Sequence, residues 1–416
     1  MRSDRVDSPL TGEPGRSAPE PCPSVTGLVH DYLLVLRGAE RTFARICECF
    51  PAATIYTLAY DERGTGGAFA HRDVRTSAIQ RLPVRQRNFR WLLPLFPTAA
   101  ERLEMGAHDV VLSSSSAFVH GVRPRTRSTH ICYCHSPFRY AWLERDRALR
   151  EIAAPARPLL ARELERIRRW DLDAVQGVDH FIANSRLTQQ RIADLWGREA
   201  TVVHPPVDTD RFEIGQPEDF FLLVGELVAH KRVDEALLAA QRAGRRVKVV
   251  GAGPSMRRLR QRFGATAEFL GRVQDDHLAA LMARARALVI PNIEEFGIAA
   301  VESLAAGRPV IGPDRGGTTE TIVDGRTGVL YPAGDFDALA EIMRDVDFDR
   351  FDSATLRASA HRFGVDRFRE RLAAEVTRLS GVTDVPRIRH PFSEDVARAR
   401  QARAAARTAA AARGAR

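Results

Sequence analysis

Short apolar runs alternate with amphipathic stretches along most of the 416 residues. In the first half the runs are Val25–His30, Thr54–Leu58, Asp109–Ser113, Thr129–Cys134 and Val178–Ala183. Stretches of helical period separate them, such as Ala39–Cys49 and Ala161–Gln176. In the second half they are Phe220–Gly225, Val247–Gly251, Glu268–Gly271, Ala287–Pro291, Pro309–Gly312 and Gly328–Tyr331. Continuous apolar runs predict strands buried on both faces, and their alternation with helices predicts parallel sheets. The expected fold is α/β, with two Rossmann-like parallel-sheet domains facing a central cleft. Between the halves, Val202 to Asp208 contains Pro205-Pro206, which continues neither strand nor helix, and the hinge is expected there. The implied units are a domain over 25–205, a domain over 206–362 and a closing amphipathic helix over 363–380.

Composition adds limits. Residues 1–24 are rich in Pro, Ser, Gly and charge and lack an apolar core segment, which fits a disordered leader and not a signal peptide. Residues 386–416 form a basic Ala/Arg tract with no apolar face, expected to be disordered. No run of eighteen apolar residues offers a spanning helix. Five cysteines are too few for a disulfide framework, so a cytoplasmic location is expected. Cys132 and Cys134 share one strand face beside His135, and two buried thiols are a better reading than metal ligands. Net charge is +9, with only Lys231 and Lys248 as lysines. Much of the excess sits in the tail, where contact with nucleic acid or anionic lipid is the lesser reading, and no nucleic-acid partner is expected. Between Gln80 and Pro97, Arg81, Arg85, Arg87 and Arg90 precede Trp91, Leu92, Leu93, Leu95 and Phe96. That segment either packs under the first domain or touches an anionic membrane, on the inner face of the plasma membrane.

The chemistry concentrates at predicted strand ends, where open α/β sheets bind ligands. Glu294 follows the strand ending at Pro291, and Glu302 lies on the next helix, with Phe296-Gly297-Ile298 between them. Gly297 lets an anion approach the backbone, and a helix start offers free amides. Carboxylates on either side suit sugar hydroxyls, so the combination fits a nucleotide sugar. Alone, each Glu also reads as a solvated helix-start residue. Lys231 and Arg232 follow Gly225 before a helix and suit a diphosphate. Val249-Val250-Gly251-Ala252-Gly253 is a strand with a Gly-rich turn, weak evidence by itself. His135 and Arg139 follow another strand end, as does Asn184, which with Ser185 also reads as a helix cap. The Asp-x-Asp pairs at 171, 208, 335 and 345 follow no buried strand, so no metal is expected. No phosphate-binding Gly-x-x-x-x-Gly-Lys loop and no Gly-x-Ser-x-Gly elbow occurs.

The run Glu294 to Gly307, with Arg308-Pro-Val-Ile and Gly316-Gly-Thr-Thr-Glu320, resembles the signature of retaining GT-B glycosyltransferases of family 4. His30-Asp-Tyr-Leu, Cys134-His-Ser-Pro-Phe-Arg-Tyr-Ala-Trp and Lys231-Arg-Val-Asp look like the subfamily of O-antigen and exopolysaccharide mannosyltransferases. The resemblance implies metal-independent hexose transfer, mannose favoured, from a nucleoside diphosphate sugar to a lipid-linked or glycan acceptor. It implies donor contacts at Gly38, Gly225, Lys231, Arg232, Gly251, Glu294, Phe296, Gly297, Ile298 and Glu302. His135, Glu294 and Lys231 would serve catalysis, and Arg37, Glu40, Arg139 and Asn184 would lie on the acceptor side. One position departs: Glu226 stands where the family commonly has arginine. That departure keeps a non-catalytic nucleotide-sugar binder open, beside a glycogen-synthase-like enzyme acting on soluble sugars.

Overall fold

The computed structural model describes residues 26–82, 89–124 and 128–381. The first sheet contains β1 (Thr26–His30), β2 (Thr54–Thr57), β3 (Val74–Thr76), β4 (Val110–Ser115), β5 (Thr129–Cys134), β6 (His180–Ala183) and β7 (Ala200–Val202). Its strands are parallel and ordered β3-β2-β1-β4-β5-β6-β7. The second contains β8 (Phe221–Val224), β9 (Val247–Val250), β10 (Ala267–Gly271), β11 (Ala287–Val289), β12 (Val310–Pro313) and β13 (Gly328–Tyr331). It too is parallel, ordered β10-β9-β8-β11-β12-β13. The α/β expectation therefore holds, with two edge strands added. β3 (Val-Arg-Thr) and β7 (Ala-Thr-Val) are three residues long and half-exposed, too short and too polar to show as apolar runs.

In each sheet the strand order reverses once, between β1 and β4 and between β8 and β11. A crevice opens beyond the carboxyl ends of such strands. Asp31, just past β1, holds the first crevice in shape. Its buried carboxylate accepts from the amides of Ser116 (2.6 Å), Ala117 (3.0 Å), Phe118 (2.7 Å) and Val119 (2.9 Å), and from the Ser116 hydroxyl at 3.1 Å. Without that anion, four inward amides of the β4 loop would lack partners. Cys132 and Cys134 are fully buried, and burial pushes the Cys132 thiol up to about 12, so both are inert core thiols.

The chain crosses between the sheets twice. Val207, after Pro205-Pro206, donates its amide to Phe363 O at 2.9 Å, so outgoing and returning strands of chain run side by side. The helix Val365–Ser380 then returns to the first sheet. Its Phe368, Leu372 and Val376, four residues apart, share a core with Leu28, Phe43 and Ile131. The 80–97 segment splits: Phe96 is buried against Phe118 and Tyr32, while Leu82 and Leu95 remain exposed. Arg85 and Arg87 lie outside the described residues, as do residues 1–24 and 386–416.

Candidate active site

The two crevices face each other across a cleft of about 1030 Å³ lined by both domains. On the second-domain side Lys231 Nζ lies 2.5 Å from Glu294 Oε1, each side chain about one-fifth exposed. The loop bearing Glu294 is pinned by its own backbone, since Glu294 O accepts from Gly317 N at 2.8 Å. Gly297 precedes the helix Ile298–Ala305 with φ 87°, a left-handed conformation that a side chain would strain. Gly251, with φ 137°, is packed so closely on Gly225 O that a Cβ would overlap it. Gly225 lines the cleft and Gly251 supports it from behind.

Glu302 borders the same cleft one turn into the helix, 3.4 Å from Arg211. Burial pushes its carboxyl up to about 7, against the pull of Arg211 and Arg41. From the opposite domain, His135 presents a buried ring whose Nε2 meets Ser114 Oγ at 2.9 Å, and Ser114 Oγ meets His30 Nδ1 at 3.1 Å. Burial first, then His30, lowers His135 to about 3. It is therefore neutral near pH 7 and acts as a hydrogen-bonding group, not a cation. A neighbouring Ser115–His120–Asp171 series copies the order of a hydrolase triad. Its His and Asp are wholly sealed and Asp171 is taken up by the indoles of Trp142 and Trp196, so it is core structure.

Of the residues expected at the site, Gly38, His135, Arg139, Asn184, Gly225, Lys231, Glu294, Phe296, Gly297, Ile298 and Glu302 line the cleft. Ser185, not Asn184, caps the following helix, accepting from Thr188 N at 3.1 Å. The Phe296 ring is buried at the hinge against His204 and Phe363. Arg232 does not line the cleft. Its guanidinium lies over the Phe336 ring at 4.5 Å and pairs with Glu235 at 2.6 Å, and its left-handed φ of 50° turns it from Lys231. Glu40 is spent on its own helix, accepting from Arg37 N at 3.0 Å; burial raises its carboxyl to about 6. Arg37 reaches across the domains to Glu226 at 3.0 Å. Neither Arg37 nor Glu40 lines the cleft.

Sequence reasoning missed the residue that joins the domains here. Glu295 receives Arg139 and, at 2.6 Å, Arg191, both from the first domain. Burial works against its charge, but the two guanidiniums more than offset it and hold its pKa low. Arg41 similarly reaches Asp275 at 3.1 Å, and Asp275 also takes Arg211 at 3.0 Å. The only sequence signal was the Glu294-Glu295 doublet, which does not say which acid faces which partner. Among the described residues no group of three or more His, Cys, Asp or Glu side chains is arranged to hold a metal.

Two family models match this chain: Glycosyltransferase Family 4 over residues 36–211 and Glycosyl transferases group 1 over 207–359. One falls on each domain and they meet at the hinge, so the chain belongs to the family 4, group 1 glycosyltransferases of GT-B fold. It is 31% identical over 222 residues to the glycogen synthase of Mycobacterium tuberculosis, covering 49% of this chain and 53% of that protein. It is 28% identical over 233 residues to the GDP-mannose-dependent alpha-(1-6)-phosphatidylinositol monomannoside mannosyltransferase of Mycolicibacterium smegmatis, covering 47% and 61%. The chain thus spans roughly half the length of the curated relatives it matches. Among solved structures, Anabaena HepE in complex with UDP and glucose aligns with TM-score 0.63 and 17% identity, over 85% of this chain and all of that one. Sucrose-phosphate synthase from Thermosynechococcus elongatus aligns with TM-score 0.64 and 16% identity, over 86% and 100%. At such identities the likeness is one of fold.

Proposed function

We propose that the protein transfers a hexose, mannose favoured, from a nucleoside diphosphate sugar to a lipid-linked or glycan acceptor with retention of configuration. The observation that carries this is the Lys231–Glu294 pair at 2.5 Å on the cleft wall, with Glu302 beyond Gly297 and a neutral His135 opposite. Lys231 and the amides around Gly297 and Ile298 would hold the leaving diphosphate, supplying the charge stabilisation that a cation gives elsewhere. The donor would replace Glu294 at the ammonium, freeing that carboxylate for the sugar hydroxyls, and Glu302 would take the ribose. The sugar C1–O bond to the diphosphate breaks as the acceptor oxygen bonds to C1 on the same face. The acceptor proton passes to the departing phosphate oxygen. His135 would hydrogen-bond the transferred sugar.

A lipid-linked acceptor fits the outer face of the first domain. Exposed Leu95 and Leu159 lie on segments tied together by Arg166, which donates to Pro94 O at 2.8 Å. Exposed leucines suit contact with lipid chains, while Arg166 itself is paired with Glu163 at 2.6 Å. The test is to supply GDP-mannose and UDP-glucose with a membrane extract, with and without EDTA. Lipid-extractable labelled product that survives EDTA is expected. Product on soluble glucan would instead support a glycogen-synthase-like enzyme. Nucleotide-sugar binding with neither transfer nor donor hydrolysis would reduce the protein to a binder.

A further inference from the structure

Glu226 follows Gly225, a wall of the cleft beside Lys231, and an acid there repels a diphosphate. The structure pairs this acid with a cation from the other domain. Arg37 immediately precedes Gly38, which also lines the cleft, and its Nη1 lies 3.0 Å from Glu226 Oε2. The pair therefore sits at the rim of the space bounded by Gly38, Gly225 and Lys231. The two side chains are 41% and 39% exposed. An ion pair so exposed contributes little stability and costs little to break. A diphosphate entering between the domains offers Arg37 two anionic oxygens in a drier place, and guanidinium binds phosphate in forked geometry.

Resting on the donor reading above, we infer that Arg37 is the second diphosphate cation of this protein, supplied by the first domain, and that Glu226 holds it in place until the donor enters. The arrangement moves a phosphate ligand across the cleft. Tight donor binding then requires the domains to be together, because Lys231 and Arg37 belong to different ones.

The experiment is titration calorimetry of the full chain with GDP and GMP, and with UDP and UMP. The quantity read is the diphosphate-to-monophosphate affinity ratio of the nucleotide that binds. Arg37→Ala should lower that ratio about tenfold, the loss of one charge-assisted contact. Arg37→Ala/Glu226→Ala should stay low, and Arg37→Ala/Glu226→Arg should recover, having a cation on the second domain instead. Melting temperatures of all variants should stay close to the parent, as expected for an exposed pair. If the double alanine variant recovers fully, Arg37 only neutralises Glu226 and the inference is overturned. It is also overturned if Arg37→Ala keeps the parent ratio, or if the arginine at 226 restores nothing. Failure of the unaltered protein to bind any of the four nucleotides would overturn the donor reading itself, a result distinct from these.

Discussion

Replacing Glu295 with glutamine should loosen the two domains and destabilise the protein measurably. The carboxylate is 14% exposed, and its partners Arg139 and Arg191 are 27% and 19% exposed. Glutamine keeps the volume and one acceptor oxygen but removes the charge, leaving Arg191 without its anion and Arg139 with only Glu144, at 3.4 Å. Breaking a fully buried pair from one side costs ~3–5 kcal/mol. The partial exposure of all three groups and the retained acceptor reduce this to about 2–3 kcal/mol. For domains of this size that is a fall in melting temperature of roughly 4–12 °C. The pH dependence follows from the lowered pKa of Glu295, in which Arg139 and Arg191 outweigh burial. A depressed carboxylate contributes stability that is complete above the unfolded pKa of about 4.3 and is lost as pH falls through the lower folded value. Calorimetric scans of parent and variant from neutral pH downward should show a constant gap above about pH 5 that closes in acid. A gap below about 1 °C at neutral pH, or one that persists unchanged in acid, would refute the assignment of Glu295 as the charged anchor.

Three further outcomes are expected. Because burial raises Glu302 to about 7, stability should fall as pH climbs from the ordinary carboxylate range to that value and level off above it; nucleotide-sugar affinity should rise only as the folded carboxyl ionises around pH 7, and Glu302→Gln should flatten both in paired titration and melting curves. Lys231→Ala should cost turnover ~3 kcal/mol, about two orders of magnitude, with a smaller change in donor binding, read from steady-state kinetics. Asp31→Ala strands four backbone amides and should cost about 3 kcal/mol or more, so a variant that melts like the parent would contradict the role given to that carboxylate.

The sequence determined whatever depends on neighbours along the chain. Continuous apolar runs such as Phe221–Val224 and Ala287–Val289 announced buried parallel strands, because only a strand covered on both faces tolerates them. A glycine and an acid just after a strand, as in Pro291 to Gly297, announced a ligand loop, because β–α turns in an open sheet converge on its carboxyl edge. Edge strands β3 and β7 carry no such signal, being short, and were lost. Tertiary structure decided which charge meets which. Arg232 and Lys231 are adjacent in sequence, yet a left-handed residue sends one to the Phe336 ring and leaves the other in the cleft. Glu295 and Glu294 are equally adjacent, and one binds two arginines from the far domain while the other binds Lys231. Arg37 finds Glu226 at a separation of 189 residues. Ion pairing is set by distance and burial, and both exist only once the two sheets have been brought face to face.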